Sequence, residues 1–308
     1  MTLQQLEYIV AVDKHRHFVR AAESCGVTQS TLSSMIQKLE TELDVVIFDR
    51  MSHPIKPTAL GEEIIGQARV ILYNARQMGE LVDSHKQRSV GRINIGIAST
   101  IAPYLLPKLF REIGVSHPDV SLHVEEARVA TILSKLRRAE IDVAILAAPA
   151  AEEDMLEIPI MRERYVAYVS EDDELYKQSE IDTRSLTAER IWLLGESYCP
   201  NSGQFPFCIN DVPNATTYVA GTIETLIRIV DENGGYTIIP EQHLEFLGDE
   251  ARKKIRPLVN PEPGREIAFV VRKDFVRERM LNILAEAIKR VVDEDMLDER
   301  LKRFRIKL

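Results

Sequence analysis

From residue 93 onward, short runs rich in β-branched residues alternate with helical segments, and this alternation limits the folds that are open to the chain. Strands that alternate with helices predict an α/β fold with a mostly parallel sheet. Ligands of such folds bind beyond the carboxyl ends of the strands, often in a cleft between two lobes. The strand candidates are INIGIA (93–98), SLHVEEA (121–127), IDVAIL (141–146), YVAYV (165–169), IWLL (191–194), TTYVA (216–220), YTII (236–239) and EIAFVV (266–271).

The overall composition narrows the class of protein further. A chain of 308 residues is long enough for two or three domains. No apolar run approaches the roughly 18 residues of a membrane span, and no signal-peptide pattern opens the sequence, so we expect a cytoplasmic protein with no membrane partner. Three cysteines in such a chain are not a disulfide scaffold. The net charge of −9 disfavours general affinity for nucleic acid, so DNA binding needs a local signal.

A local signal of this kind lies between residues 28 and 43, in TQSTLSSMIQKLETEL. Thr28 is a suitable N-cap, and Leu32, Ile36, Leu39 and Leu43 form one apolar stripe at helical spacing. The opposite face carries hydroxyls and amides, and residues 24–39 contain no acid. Such a helix suits the major groove of DNA, although a solvated surface helix has the same appearance. Two shorter helices before it and the loop DRMSHPIKPTALG after it predict a winged helix-turn-helix.

A longer helix is predicted to begin after Thr58. Its apolar residues recur at intervals of four and three, which is the a/d pattern of a coiled coil. The stripe favours pairing with a second copy of the chain, while packing on the core of its own chain is the alternative. The predicted dimerisation residues are Ile64, Ala68, Ile71, Ala75, Met78 and Val82.

The sequence contains no convincing catalytic motif. It has neither GxSxG nor HExxH, and its histidines and cysteines lack the spacing of a metal site. We therefore predict no enzyme, no metal and no cofactor. Ser99, Thr100 and Thr222 carry hydroxyls near predicted strand ends and are candidates for lining an effector pocket.

Two of the three cysteines, Cys199 and Cys208, lie in the turn-rich stretch YCPNSGQFPFC. They are two unrelated core thiols, a pair of metal ligands, or a redox switch. Pro200 at the first position of a helical turn would place Cys199 at its N-cap, which favours a thiolate. In the redox hypothesis peroxide oxidises Cys199 to a sulfenic acid, and Cys208 condenses with it to a disulfide. The third, Cys25, is predicted to be a small buried side chain in the turn before the helix at 28–43.

The segment LEYIVAVDKHRHFVRAAESCGVTQSTLSSMIQKLETELDVVIFDR resembles the DNA-binding domain of the LysR-type transcriptional regulators. The resemblance implies a winged helix-turn-helix over 1–58, a linker and dimerisation helix over 59–88, and a two-lobed α/β regulatory domain like periplasmic binding proteins over 89–308. Lobe I would span about 92–162 and 267–308, and lobe II about 163–266. The implied DNA contacts are Gln29, Ser30, Thr31, Ser33 and Lys38, with Arg50 and Lys56 in the wing.

Further segments are similar to the hydrogen-peroxide-sensing members of this family, namely IASTIAPYLLPKLF, EEAR, AEIDVAIL, TIETLIRIV and the two cysteines. The resemblance implies that oxidation of Cys199 and its bond to Cys208 change the contacts with operator DNA and recruit RNA polymerase. It also places Thr100 beside the peroxide and suggests a tetramer of two dimers. The chain departs from these members at Val129, where they have threonine, and at residues 200–203. Arg265 is a possible cationic neighbour of the thiolate.

The sequence therefore predicts an activator of oxidative-stress genes that binds double-stranded DNA and senses peroxide through Cys199 and Cys208. The first alternative is a LysR-type regulator that binds a small metabolite between its lobes and keeps both thiols reduced. The second is a thiol peroxidase or oxidoreductase, and the predicted DNA-reading helix at 28–43 counts against it, because a peroxidase has no use for such a helix.

Overall fold

The computed structural model of the protein describes residues 1–85, 91–187, 190–194, 216–218 and 222–307. The chain divides into two compact units. One consists of Met1–Arg88 with Arg137–Glu140, and the other of Ser89–Leu136 with Ile141–Leu308. Among the described residues, no helix combines the length and the apolar character that crossing a bilayer requires.

The N-terminal unit is built from helices with a small two-stranded wing. Thr2 and Gln5 form a capping box at the start of the first helix, and the Thr28 side chain accepts a hydrogen bond of 3.2 Å from the Thr31 amide at the start of the third. Gly26 has a φ of +67°, which turns the chain between the second and third helices. The elements are α1 (Leu3–His15), α2 (Phe18–Ser24), α3 (Gln29–Leu43), β1 (Phe48–Asp49), β2 (Lys56–Pro57) and α4 (Ala59–His85).

The apolar stripe of α3 packs into the core of this unit. Leu32, Ile36 and Leu39 are fully buried, as the helical spacing predicts. Leu43, the fourth member of the predicted stripe, is 39% exposed, because the helix ends there and the chain turns away through Asp44 at a φ of +55°. After this turn, the first strand of the wing begins at Phe48, and its pairing with β2 involves Phe48 and Asp49.

The C-terminal unit contains a large mixed sheet flanked by helices. The 3-10 helices that lie wholly within its described residues are Glu174–Lys177, Thr183–Ser185 and Glu241–Phe246. Its strands are β3 (Gly91–Ala98), β4 (Val120–Ala127), β5 (Val143–Ala147), β6 (Met155–Val169), β7 (Ile181–Asp182), β8 (Trp192–Leu194), β9 (Thr216–Tyr218), β10 (Tyr236–Pro240), β11 (Ile255–Val259) and β12 (Gly264–Arg272). Its helices are α5 (Ala102–Ser116), α6 (Val129–Arg137), α7 (Ile223–Asn233), α8 (Asp249–Arg252), α9 (Glu278–Val291) and α10 (Glu299–Arg303).

The strand order of the sheet is β4-β3-β5-β12-β6-β11-β7, and β10 also pairs with β6. The pairs β3/β4 and β3/β5 are parallel, as predicted. The pair β11/β7, whose strands were not predicted, is also parallel. The expectation of a mostly parallel sheet is wrong at its centre, where β12 is antiparallel to both β5 and β6, and β6 is antiparallel to β10 and β11. The physical reason is the crossing between lobes, because β6 runs out of the first lobe and β12 returns to it.

The sheet serves two separate hydrophobic cores. Lobe I, as the structure shows it, is the core around β3, β4, β5, α5 and α9, and it includes Met155, Ile160 and Met161 of β6. Lobe II is the core around β10, β11 and α7, and it includes residues 165–169 of the same strand. Between the two apolar parts of β6 stand the charged residues Arg162, Glu163 and Arg164. A run of charge in the middle of a long strand marks the junction between the lobes.

Candidate functional site

The predicted DNA contacts lie at the N-terminal end of α3. Gln29, Ser30 and Thr31 are exposed, Ser33 is half-buried, and Lys38 is exposed one further turn along. Thr31 is tied to the cap, because its hydroxyl lies 2.8 Å from that of Thr28. Among these residues, the long amide side chain of Gln29 combines exposure with a bidentate hydrogen-bonding group.

The two predicted basic residues of the wing, Arg50 and Lys56, differ in their surroundings. Arg50 donates to Glu40 at 2.8 Å and lies over the ring of Phe18, at 5.7 Å from the ring centroid. The other carboxylate oxygen of Glu40 accepts from the amides of Ile47 and Phe48 at 2.8 and 3.3 Å. Glu40 therefore anchors both the wing and its arginine. Lys56 is exposed on β2.

The predicted dimerisation stripe of α4 divides along its length. Ala68 is 1% exposed and lies with Ile64 against the core of its own unit, which is the alternative that the narrow stripe left open. Ile71 and Met78 are 39% and 71% exposed, and Ala75 is half-buried. Val82 lies outside the residues whose side chains the structure describes. The exposed apolar part of the predicted stripe therefore begins at Ile71.

The C-terminal unit contains a buried polar cluster at the lobe junction. Arg265 on β12 pairs in register with Glu163 on β6, and its Nε donates to the Glu163 carboxylate. Its Nη1 donates to the Thr100 hydroxyl oxygen at 2.8 Å, and its Nη2 to the Thr100 carbonyl at 3.1 Å. The exposed fractions are 2% for Thr100, 1% for Glu163 and 3% for Arg265. Thr100 and Arg265, which were predicted as site residues on separate grounds, are thus in direct contact.

Two aromatic residues complete the cluster. His243 Nε2 lies 3.2 Å from the Thr100 carbonyl, and the ring of His243 meets that of Tyr104 edge to face at 5.9 Å. Burial lowers the pKa of His243, whereas burial and the nearby Glu163 raise the pKa of Tyr104 well above its usual value. Burial also raises the pKa of Glu163, against the opposite effect of Arg265.

The guanidinium of Arg265 stays charged in a protein, so the Glu163 carboxylate is its buried counter-charge. The arrangement presents a fixed cation and a threonine hydroxyl at the end of β3. Such a site can stabilise negative charge that develops on a small oxygen-containing ligand. Arg265 also lines an open cavity of about 350 Å³, together with Ala148, Pro149, Glu157, Arg162 and Glu266.

The other predicted pocket hydroxyls are not part of this hydrogen-bonded cluster. Ser99 precedes Thr100 and is half-buried. Thr222 is the N-cap of α7, where its side chain accepts from the Thr225 amide at 3.3 Å. The position of Val129, where a hydroxyl is missing, begins α6.

The two cysteines of the predicted switch, Cys199 and Cys208, lie outside the described residues. Cys25 is described, and it is half-buried against the core of the N-terminal unit rather than fully buried as predicted. Among the described residues, no group of three or more His, Cys, Asp or Glu side chains could hold a metal ion.

Sequence patterns missed Glu163, His243 and Tyr104. Glu163 belongs to the charged run 162–164 inside a long apolar strand. Charged residues in such a strand indicate a buried ion pair, so this run could have identified Glu163. His243 sits in a 3-10 helix without a period that marks its buried face. Tyr104 follows helical spacing, which indicates burial but not the nearby Glu163.

Known protein families match the sequence of each of the two units. The model for the family "Bacterial regulatory helix-turn-helix protein, lysR family" matches residues 3–62, and that for the "LysR substrate binding domain" matches residues 86–293. The hydrogen peroxide-inducible genes activator of Haemophilus influenzae is 31% identical over 95% of this chain and 99% of its own length. The DNA-binding transcriptional dual regulator OxyR of Escherichia coli K12 is 31% identical over 95% of this chain and 96% of its own.

The fold agrees over the same length. A full-length OxyR variant from Pseudomonas aeruginosa superposes with a TM-score of 0.78 at 31% identity, over 97% of this chain and 98% of that one. The match therefore includes α3, α4 and both lobes. The chain belongs to the LysR family of bacterial regulatory helix-turn-helix proteins.

Proposed function

We propose that the protein is a DNA-binding transcriptional activator that senses hydrogen peroxide. The contact between Thr100 and Arg265 carries the proposal. It joins two residues 165 positions apart, Thr100, predicted to lie beside the peroxide, and Arg265, predicted as a cationic neighbour of the thiolate. The relatives named for their induction by hydrogen peroxide, which match along nearly the whole chain, support it.

The chemistry uses the two cysteines outside the described residues. The Cys199 thiolate attacks one oxygen of hydrogen peroxide, the O–O bond breaks, and the leaving hydroxide takes a proton to become water. The Cys208 thiolate then attacks the sulfur of the Cys199 sulfenic acid and releases a second water. Two thiols are oxidised to one disulfide and one peroxide is reduced to two waters. Cellular dithiols reverse the bond by exchange.

Thr100 and Arg265 would hold the peroxide during the first step. The guanidinium stabilises the oxygen that leaves as hydroxide, because a fixed cation in a buried site favours developing negative charge. Ser99 and Thr222 stay predictions as further pocket hydroxyls. The disulfide would alter the contacts of two reading helices with a pseudo-palindromic operator and recruit RNA polymerase. The protein would act in the cytoplasm as a dimer or tetramer.

The direct test is peptide mapping of the full chain under non-reducing conditions after mild peroxide treatment. We expect a cross-link between Cys199 and Cys208, with Cys25 reduced, and a changed footprint on the operator. Cys199→Ser should abolish both changes, and Cys25→Ser should leave both in place. Peroxide that leaves the cysteines unbridged and the footprint unchanged contradicts the proposal.

The open cavity at the lobe junction, whose lining includes Arg162, Glu157 and Glu266, supports a second candidate, a regulator that responds to a small metabolite and keeps both thiols reduced. A cavity of about 350 Å³ is within the usual range for small-molecule sites. Intact thiols after peroxide, together with a metabolite that raises the melting temperature, would favour this candidate.

A further inference from the structure

Two side chains, those of Arg265 and His243, form hydrogen bonds with Thr100. Arg265 donates to its hydroxyl oxygen at 2.8 Å and to its carbonyl at 3.1 Å. His243 Nε2 lies 3.2 Å from the same carbonyl oxygen. A carbonyl oxygen only accepts hydrogen bonds, so Nε2 of His243 must carry the proton and donate it.

His243 reaches Thr100 from lobe II. It lies on the 3-10 helix Glu241–Phe246, where its side chain is 2% exposed. The helix is attached to lobe I by two more side chains. Gln242 donates to the sulfur of Met296 at 3.0 Å, and Glu245 forms an ion pair with Lys108 at 2.8 Å. His243 is therefore the buried member of a set of contacts that join the lobes.

The hydrogen bonds at Thr100 determine what its hydroxyl can do. A hydroxyl has one hydrogen to donate and two lone pairs that accept. Since Oγ1 accepts from Arg265, its hydrogen is left to donate to another acceptor, and a peroxide oxygen is such an acceptor. The direction of this donation depends on the backbone of Thr100, which Arg265 holds at the lobe junction and His243 holds from the 3-10 helix of lobe II.

We propose that His243 is a positioning residue for the reaction with peroxide. By holding the Thr100 carbonyl from lobe II, it orients the Thr100 hydroxyl toward the bound peroxide. The inference rests on the proposed function, because it assigns His243 a role in that same pocket. Burial lowers the pKa of His243, which keeps the ring neutral near pH 7 and consistent with a single Nε2–H donor.

The test compares three variants of the full chain, each with Cys25→Ser and Cys208→Ser so that Cys199 is the single thiol. His243→Leu removes the donor and keeps a similar volume, whereas His243→Gln keeps an N–H donor. His123→Leu is the matched control, since His123 is exposed on β4. Two rates are measured at Cys199, its oxidation by hydrogen peroxide and its alkylation by iodoacetamide.

We expect His243→Leu to slow oxidation by about 3- to 10-fold, the range for the loss of one net hydrogen bond. His243→Gln and the control should stay within about twofold of the parent. Alkylation should be unchanged in all three, because it needs the thiolate but not the peroxide pocket. An equal loss in His243→Gln, an equal loss in alkylation, or no loss in His243→Leu overturns the inference.

The parent chain, which carries only Cys25→Ser and Cys208→Ser, separates a failure of this inference from a failure of the proposed function. If the parent does not react with peroxide at Cys199, the proposed function fails and the inference fails with it. If the parent reacts and the variants behave alike, the inference alone fails.

A measurement on the unmutated chain covers the case in which His243→Leu does not fold. Nitrogen-15 spectra of the chain with labelled histidine, assigned by the signal lost in His243→Gln, report which ring nitrogen is protonated. The geometry requires a hydrogen on Nε2 at neutral pH. A neutral ring protonated on Nδ1 overturns the inference.

Discussion

Arg265 donates from Nη1 to the hydroxyl of Thr100 at 2.8 Å, across 165 positions of sequence. The guanidinium is pinned at its other end by Glu163, so its direction is set before any ligand arrives. A donor fork whose orientation is held by a buried carboxylate loses little freedom when a ligand binds. The lobe junction is thus a preorganised polar site between the apolar cores of the two lobes.

Thr100→Val should leave Arg265 Nη1 without its hydroxyl acceptor. A buried donor that loses its partner costs about 1–3 kcal/mol of folding free energy. Urea denaturation should show this loss, and peroxide oxidation of Cys199 should slow as well. Thr100→Ser keeps the hydroxyl and should restore most of both properties. Equal behaviour of the two variants would exclude a role for the hydroxyl.

Glu163→Gln should destabilise the C-terminal unit strongly, because it leaves the buried Arg265 cation without its counter-charge. Breaking one side of a buried pair costs about 3–5 kcal/mol. Glu232→Gln, at an exposed position of α7, is the matched control and should change the free energy of unfolding by less than about 0.5 kcal/mol. Similar urea midpoints for the two variants would contradict the importance of the pair.

Stability should depend on pH through His243. Burial lowers its pKa below the usual 6.5. Between the lowered pKa and 6.5 the unfolded chain binds a proton that the folded chain does not, so the free energy of unfolding rises with pH in this window and is lost on acidification. Denaturation series between about pH 5 and pH 8 should show a smaller pH dependence for His243→Gln than for the control His123→Gln. Identical slopes would mean that His243 does not titrate differently on folding.

Gln29→Ala should weaken binding to the specific operator more than binding to random DNA. The loss should be about 1–3 kcal/mol if the amide makes a bidentate contact with a base. Gln4→Ala, at an exposed position of α1, is the control and should change neither affinity. Titrations at one salt concentration are required, since phosphate contacts vary with salt. Equal losses on both DNAs would assign Gln29 to the backbone.

Met78→Glu and Ile71→Glu should weaken self-association through α4. Each removes an exposed apolar side chain whose burial against a partner is worth about 1.5–3 kcal/mol, so the dissociation constant should rise about tenfold or more. Arg76→Glu, roughly 140° around the helix from Ile71, is the control. Sedimentation velocity over a dilution series measures the effect. Unchanged association in both apolar variants would place the interface elsewhere.

Local patterns predicted much of the protein. The spacing of Leu32, Ile36 and Leu39 identified the buried face of α3, and Thr28 was identified as its cap. Strands β3, β4 and β5 were predicted by their β-branched runs, and all three are present within a few residues of the expected bounds. These features are local, because helix and strand periods arise from the backbone geometry of neighbouring residues.

Only the tertiary structure decided what the polar residues do. The sequence named Thr100 and Arg265 separately, and the return of β12 beside β6 brought them together with Glu163. His243 had no signal at all, because no period distinguishes a buried histidine in a 3-10 helix from an exposed one. The burial of Ala68 in its own unit likewise depends on which neighbour α4 packs against. Periodicity determines which face of an element is apolar, whereas the partner of a buried charge is determined by long-range strand pairing, which leaves no local pattern.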